Sequence, residues 1–131
     1  MSRESVLAAG RRAAERGMVD TCRITRVTAV DTDETTGETT SVVETLYDGR
    51  CRVQRRGSEA QRENIGEASL VLLRVELQLP MSAAGLREGD DVEMTTSVND
   101  PDLVGRTFRV RDVPDKTDAT ARRLTCVEVT S

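Results

Sequence analysis

The clearest regularity in the chain is an alternation of apolar and polar side chains in its second half. In the segment 71–79, apolar residues at the odd positions alternate with Arg74, Glu76 and Gln78. A period of two predicts a β-strand with one face buried. Shorter runs of the same kind surround residues 92–94, 108–110 and 124–130, with Gly, Pro or Asp between them. This half of the chain therefore predicts four short strands.

Two further strands are predicted before them, over residues 19–30 and 41–54. The segment Asp31–Thr40 between them is polar and centred on Gly37, which is typical of an exposed turn or a long hairpin tip. The Asp48-Gly49 pair predicts a bulge or bend in the second strand.

The first 18 residues predict an α-helix. Ser2 is a plausible N-cap and Gly17 a natural C-terminal stop. Small residues form one stripe, on which the helix could pack against a neighbouring molecule or against its own sheet, and both alternatives remain open. Arg11 and Arg12 lie on the remaining surface and are candidate subunit contacts.

One helix followed by six strands predicts a mainly β fold, a small six-stranded β-barrel or sandwich. The 131 residues fit a single domain, 1–131, with the helix at 1–18 and the barrel at 19–131. The polar interval 55–67 is predicted to be a long central loop, and loops of that length are commonly functional.

Composition limits what such a core can contain. With one Phe, one Tyr and no Trp, the core must be built from aliphatic side chains, and oligomerisation is a common way for a thin core to gain burial. The three cysteines, Cys22, Cys51 and Cys126, are too widely spaced for a disulfide framework or a close-spaced zinc pattern. We expect them to be buried thiols in a reducing compartment.

The candidate chemistry argues against an enzyme. The chain has no histidine, which is the side chain most often used as a general acid or base and as a metal ligand. Its paired aspartates (31/33, 90/91 and 100/102) lie at turns, where Asp favours local hydrogen bonds. We therefore predict no catalytic activity, cofactor or metal. No segment resembles a signal peptide or an apolar membrane span, so we expect synthesis in a cytoplasm and no membrane partner.

An arginine-rich segment runs from the end of the second strand into the polar interval, with Arg50, Arg52, Arg55, Arg56 and Arg62. These side chains could follow a phosphate backbone without reading its sequence. Alternatively, they form an ordinary exposed face whose charge the interleaved glutamates cancel. The net charge of −4 and the scarcity of aromatic rings disfavour a dedicated duplex binder or a single-strand reader.

Three segments carry a resemblance to a known family. They are Gly89-Asp-Asp-Val, Asp102-Leu-Val-Gly-Arg-Thr-Phe-Arg-Val-Arg-Asp-Val and Arg123-Leu-Thr-Cys-Val-Glu-Val. With the N-terminal helix and the mid-chain interval, they resemble the head–tail joining proteins of tailed bacteriophages. The similarity is to the head-closure or stopper connectors, in the version found in phages of actinobacteria.

The resemblance implies a structural virion protein, made in the host bacterial cytoplasm and located in the neck. Such subunits form a homo-oligomeric ring, six- or twelve-fold, below the portal or adaptor protein and above the tail terminator or tail tube protein. They retain packaged double-stranded DNA through non-specific contact and dock the tail. Arg55, Arg56 and Arg62 then belong to a DNA-channel loop, and Arg74, Glu76, Gln78, Arg11 and Arg12 to the subunit interface.

Two alternatives stay open. The chain could be an adaptor or tail-terminator subunit of the same junction, which could share this composition and sheet. It could also be an OB-like nucleic-acid-binding barrel, which a salt-dependent shift of single-stranded DNA would favour.

Overall fold

The computed structural model describes residues 2–65 and 68–128, with side chains outside the range 56–73. It is mainly β, as the alternation predicts. Helix α1 is followed by six strands and one short 3-10 turn. Their bounds are α1 Arg3–Arg16, β1 Asp20–Thr32, β2 Thr39–Ile65, β3 Ala68–Leu79, β4 Asp91–Thr96, the 3-10 turn Pro101–Leu103, β5 Thr107–Asp112 and β6 Arg122–Glu128.

The six strands close into an antiparallel barrel in the order β1-β2-β3-β6-β5-β4, and β4 returns to β1. The β1–β2 pair therefore lies across the barrel from the β5–β6 pair, since β3 separates them on one side and β4 on the other. Neighbouring strands run in opposite directions, so the end of β1, the start of β2, the end of β5 and the start of β6 lie at the same end of the barrel. Closure leaves no unpaired strand edge within the barrel itself.

The interior is filled by alternate residues of each strand, as the predicted period of two requires. Phe108, the largest of them, is 1% exposed, and the three cysteine side chains are fully buried. All three are free thiols, which confirms that they act as small apolar residues. Burial raises the pKa of Cys126 to about 12, so this thiol stays protonated at neutral pH.

Helix α1 has the predicted ends. The Ser2 hydroxyl accepts the backbone N–H of Ser5, and the Gly17 N–H donates to the Ala14 carbonyl. The helix packs on its own chain: a Cβ on Gly10 would lie 2.9 Å from the Thr120 side chain, and Arg11 Nε donates to the Ala119 carbonyl at 3.2 Å. This contact is with the β5–β6 loop rather than with the sheet, and no residue of the helix is buried, so it decides between neither alternative for the small-residue stripe.

The predicted loop over 55–67 needs correction. β2 continues to Ile65 and β3 starts at Ala68, and the two pair from Ala60↔Leu73 to Ile65↔Ala68. A shift of register between Arg55 and Ala60 interrupts the pairing. Because β3 pairs with β6 only from Arg74 onward, this hairpin extends past the barrel. A strand that extends past the barrel has no interior to fill, so neither of its faces needs apolar residues. The polar composition of residues 55–65 therefore fits a strand there as well as a loop. Gly66 and Glu67 lie outside the described residues.

A second correction concerns the outer face of β3. Glu76 and Gln78 were expected to be exposed, but they are 9% and 8% exposed. The Gln78 amide donates to Gln54 Oε1 and to Glu76 Oε2, both at 3.0 Å. Cross-strand neighbours on the outside of a barrel cover one another when their side chains are long. Of the three predicted contact residues on β3, only Arg74 is exposed.

The irregularity predicted at Asp48-Gly49 lies slightly earlier in β2. The register shifts between Ile24↔Tyr47 and Thr25↔Thr45, so the residue without a partner is Leu46. Gly49 instead leaves room for the Tyr47 side chain, since a Cβ at this position would lie 3.0 Å from Tyr47 Oη. The Tyr47 hydroxyl passes over this glycine and donates to the Arg50 carbonyl at 2.6 Å.

Candidate interaction surfaces

The most prominent surface feature is a two-stranded arm formed by residues 26–44. β1 pairs with β4 only as far as Thr25, and β2 pairs with β3 only from Arg52 onward. Residues 26–32 and 39–44 therefore pair only with each other. At about 3.3 Å per residue, the arm reaches roughly 20 Å beyond the barrel.

A tight turn closes the arm. The Asp33 N–H donates to the Glu38 carbonyl at 2.8 Å and the Gly37 N–H to the Asp33 carbonyl at 2.7 Å. Gly37 has φ +74°, a left-handed conformation that glycine adopts without strain. The Asp33 side chain accepts the Thr35 N–H at 2.8 Å, and this bond lowers the pKa of Asp33 below its ordinary value. The turn is ordered by its own carboxylate.

The two faces of the arm differ in chemistry. Partners in the register share a face, and a register shift between Val27 and Ala29 leaves Thr28 unpaired. One face is uncharged and mostly β-branched: Val27, Val30, Thr32, Thr39, Ser41 and Val43. Three of these residues are about half exposed: Val27 at 49%, Val43 at 52% and Val30 at 62%.

The arm is also strongly acidic. Between Val27 and Glu44 the sequence has no Lys or Arg, and it has five carboxylates. These are Asp31, Asp33, Glu34, Glu38 and Glu44. Since the whole chain has a net charge of −4, the arm carries a negative charge that the rest of the chain does not share.

An ion pair fixes the base of the arm to the barrel. Arg26 donates from Nε to Asp90 Oδ1 at 2.8 Å and from Nη2 to Asp90 Oδ2 at 3.0 Å. It also donates to the Gly85 carbonyl at 2.8 Å, and the Arg87 N–H donates to Asp90 at 2.7 Å. The Asp90 side chain is 2% exposed, and its bonds raise the pKa of Arg26. A bidentate pair of this kind sets the direction in which the arm leaves the barrel.

A groove lies across the barrel from the arm, under the β5–β6 loop. Its volume is about 650 Å³, and it has three cationic side chains, Lys116, Arg122 and Arg123, and a single acidic one, Asp115. The rest of the lining is apolar or uncharged: Met81, Pro114, Thr117, Ala119, Thr120 and Ala121. The groove therefore combines a net positive charge with apolar surface.

Arg122 is the unusual residue of this groove. Its Nη2 donates to the Met81 carbonyl at 3.3 Å. Its Nε is buried and has no hydrogen-bond partner among the described residues. An unsatisfied buried guanidinium N–H is costly, because the group has lost water without gaining an acceptor. Arg122 thus lines the groove while its Nε lies beneath the surface.

Helix α1 holds the loop that forms one wall of this groove. Besides the bond from Arg11 to the Ala119 carbonyl, Arg3 forms an ion pair with Asp118. Asp118 has φ +58°, an uncommon conformation for a residue other than glycine. The helix thus contributes to the shape of the groove.

The residues predicted for function do not form one site. Arg11 contacts the β5–β6 loop and Arg12 is exposed on the helix, whereas exposed Arg74 pairs with Val127 near the end of β6. Arg55 is exposed and pairs with Val75. The backbone of Arg56 and Arg62 belongs to β2, but their side chains lie outside the described part.

Sequence reasoning predicted the hairpin around residues 31–40, which the structure confirms, but it missed that the hairpin projects beyond the barrel, and it missed the groove. The signal for the arm was present, since a run of carboxylates without a cation spans residues 27–44. The groove gave no signal, because Met81 meets the loop before β6 only through the fold. The aspartates 90 and 91 prove to be ion-pair partners of Arg26 and Arg109. Among the described residues, no group of three or more His, Cys, Asp or Glu could hold a metal ion.

Comparison with known families adds one result. A family model described as a family of unknown function, DUF6093, matches residues 10–127. The chain belongs to this family. No curated protein matches the chain, and no solved structure does. In the part of the chain that the structure describes, no helix has the length and apolarity to cross a membrane.

Proposed function

We propose that this protein is a structural subunit of the neck of a tailed bacteriophage, a head-closure or stopper connector. It assembles into a ring below the portal or adaptor, helps to retain packaged DNA and presents a surface for the tail. The proposal extends the resemblance of the segments from Gly89 to Val129 and needs no catalytic residue.

The observation that supports it best is the pair of strand extensions on a small barrel. The arm over 26–44 and the β2–β3 hairpin both leave the closed sheet, and the arm exposes a valine-rich face. A free-standing barrel gains no stability from an extended apolar ribbon in water. In a subunit that contacts neighbours on several sides, such extensions can bury their apolar surface against those neighbours.

The OB-like alternative has less support. Single-strand readers stack bases on exposed aromatic rings. Phe108 is 1% exposed, and Tyr47 packs against the core with its hydroxyl bonded to the Arg50 carbonyl. These are the two aromatic residues of the chain, so no aromatic face is free for a base.

The β2–β3 hairpin is the proposed DNA contact. It carries Arg56 and Arg62, with Arg55 at its base, and it replaces the predicted loop in that role. Such contact would involve phosphates alone and would weaken with salt.

A symmetric cryo-EM reconstruction of the neck of particles that contain this chain tests the proposal. We expect a ring of copies between portal and tail, with the β2–β3 hairpins directed to the channel. Absence of the chain from purified particles, or a single non-symmetric copy, would refute the connector function.

The order of assembly separates the stopper from the terminator. A stopper associates with adaptor-loaded heads before tails arrive, so heads made without tails contain the chain. A tail terminator instead co-purifies with tails made without heads. We expect the chain in the head fraction.

A further inference from the structure

We propose that the acidic arm of one copy binds in the basic groove under the β5–β6 loop of a second copy. The contact is head-to-tail, and its repetition closes the ring. This inference rests on the proposed function and assigns the surface through which that ring forms.

The positions of arm and groove suit a cyclic assembly. The arm leaves the barrel where β1 ends and β2 starts, and the groove lies where β5 ends and β6 starts. These two places are at the same end of the barrel and on opposite sides of it, as the strand order requires. A heterologous contact between opposite sides of a subunit generates a ring when the rotation from one copy to the next closes, and two surfaces at the same end of the barrel are compatible with such closure.

The charges of the two surfaces are complementary. The arm has five carboxylates and no cation between Val27 and Glu44, while the groove has three cations and one carboxylate. Within one chain, the arm and the groove lie on opposite sides of the barrel. Between two chains they can meet, and complementary potentials then favour this orientation over others.

The cations of the groove suit carboxylates in particular. The guanidinium of Arg122 lines the groove and donates from Nη2 to the Met81 carbonyl at 3.3 Å, and the side chains of Lys116 and Arg123 beside it are exposed. Guanidinium groups bind carboxylates through paired N–H donors. We assign Glu34 and Glu38, in the turn of the arm, as the carboxylates that meet these cations in the next copy.

Apolar surface is available on both sides of the contact. The arm exposes Val27, Val30 and Val43, and the groove is lined by Met81 and Pro114 among others. Burial of these valine side chains against the apolar residues of the groove would remove apolar surface from water on both copies. Electrostatic attraction therefore selects the partner, and apolar burial adds to the affinity.

Charge exchange between the two surfaces tests the proposal. One variant carries Glu34→Lys and Glu38→Lys in the arm, with Asp33 retained because its carboxylate orders the turn. The other carries Lys116→Glu and Arg123→Glu, two exposed groove residues, with Arg122 retained. Sedimentation velocity of the full chain, over a concentration series at low salt, measures self-association of each variant and of their equimolar mixture.

We expect the wild-type chain to associate and each variant alone to associate at least tenfold more weakly. The mixture should recover wild-type association, because each altered surface then meets one of opposite charge. A control with the same charge change, Glu93→Lys and Asp102→Lys at exposed positions outside both surfaces, should associate as the wild type does. Circular dichroism confirms folding, and the single variants Glu34→Lys and Arg123→Glu replace any double variant that fails to fold.

Three results would overturn the pairing: variants that associate normally, a mixture that stays dissociated, or a wild-type chain that remains monomeric throughout. An oligomer that is insensitive to both exchanges would leave the ring in place and reject this contact. Failure of the connector function is recognised separately, by absence of the chain from the neck.

Discussion

The two halves of strand β1 are similar in sequence and opposite in environment. In the first half, Cys22 and Ile24 are fully buried, whereas in the second half Val27 and Val30 are 49% and 62% exposed. The first half has β2 on one side and β4 on the other, while the second half has β2 alone. Burial of a β-branched residue in this fold thus depends on how many strands surround its own.

The difference has an energetic consequence. The valines of the barrel give up their apolar surface on folding, while those of the arm keep about half of theirs. The surface left on the arm remains available for association. The barrel half of β1 contributes to the stability of one chain, and the arm half is available for contact with another.

We expect the largest effect on stability from a substitution at the boundary between the two halves of β1, where Arg26 is held by Asp90. Asp90→Ala removes a buried carboxylate that accepts bonds from Arg26 and from the Arg87 N–H. We expect the free energy of unfolding to fall by about 3 kcal/mol, because buried donors lose their acceptor. Urea denaturation measures the change.

The adjacent carboxylate is the matched control. Asp91 pairs with Arg109 at 3.2 Å, and the two side chains are 42% and 51% exposed. Asp91→Ala should change the free energy of unfolding by less than about 0.5 kcal/mol. Equal losses for the two variants would contradict the assignment of Asp90 as the joint between barrel and arm.

The same substitution in the two environments tests the comparison directly. Val110 in β5 is fully buried and Val30 in the arm is 62% exposed. Val110→Ala should lower the free energy of unfolding by about 2 kcal/mol through lost burial and a residual cavity. Val30→Ala should lower it by less than about 0.5 kcal/mol, as measured by urea denaturation. A large loss for Val30→Ala in dilute solution would show that the arm belongs to the folding core.

A pH effect should arise in the barrel, opposite the arm. Arg106 donates to both carboxylate oxygens of Glu128 at 2.6 Å, and this holds the pKa of Glu128 below its ordinary value. The unfolded chain therefore protonates Glu128 first as the pH falls. The stability that the pair contributes is present above the ordinary pKa and is lost on acidification.

Glu128→Gln should reduce this pH dependence. We expect it to lower the free energy of unfolding by about 1 kcal/mol near neutral pH and by less at low pH. Urea midpoints of wild type and variant across the acidic range measure it. If the two midpoints differ by the same amount at every pH, the ion pair does not have the assigned role.

The last prediction concerns Tyr47, at the start of the barrel half of β2, and its effect on stability is confined to alkaline pH. Burial raises the pKa of Tyr47 to about 12, whereas an unfolded tyrosine ionises near about 10. The folded chain should thus lose stability as the pH rises above the unfolded value. Since this is the only tyrosine, absorbance at 295 nm reports it alone. Ionisation at the unfolded value in the native protein would contradict its burial.

Sequence reasoning succeeded where one residue pattern has one structural solution. The alternation over 71–79 predicts β3, and Ser2 and Gly17 mark the ends of helix α1. It failed over 55–65, where polar side chains are compatible with a loop or with a two-stranded ribbon in water. It also failed for Glu76 and Gln78, because polarity predicted exposure while neighbouring side chains cover them.

The candidate surfaces divide in the same way. The acidity of residues 27–44 is a property of the sequence, and so are the lack of histidine and the scarcity of aromatic residues. The groove is not, since Met81 and Arg122 are distant in the chain and meet only when β3 pairs with β6.

By itself, the sequence determined the class of fold, the helix ends, the buried thiols and the acidic run, because each depends on local periodicity or on residue type. Only the tertiary structure decided that the strands close into a barrel, that the acidic run stands on an arm, and that a basic groove lies across the barrel from it. These features depend on which strands become neighbours. The pattern of a single segment does not specify the distant segment with which it pairs.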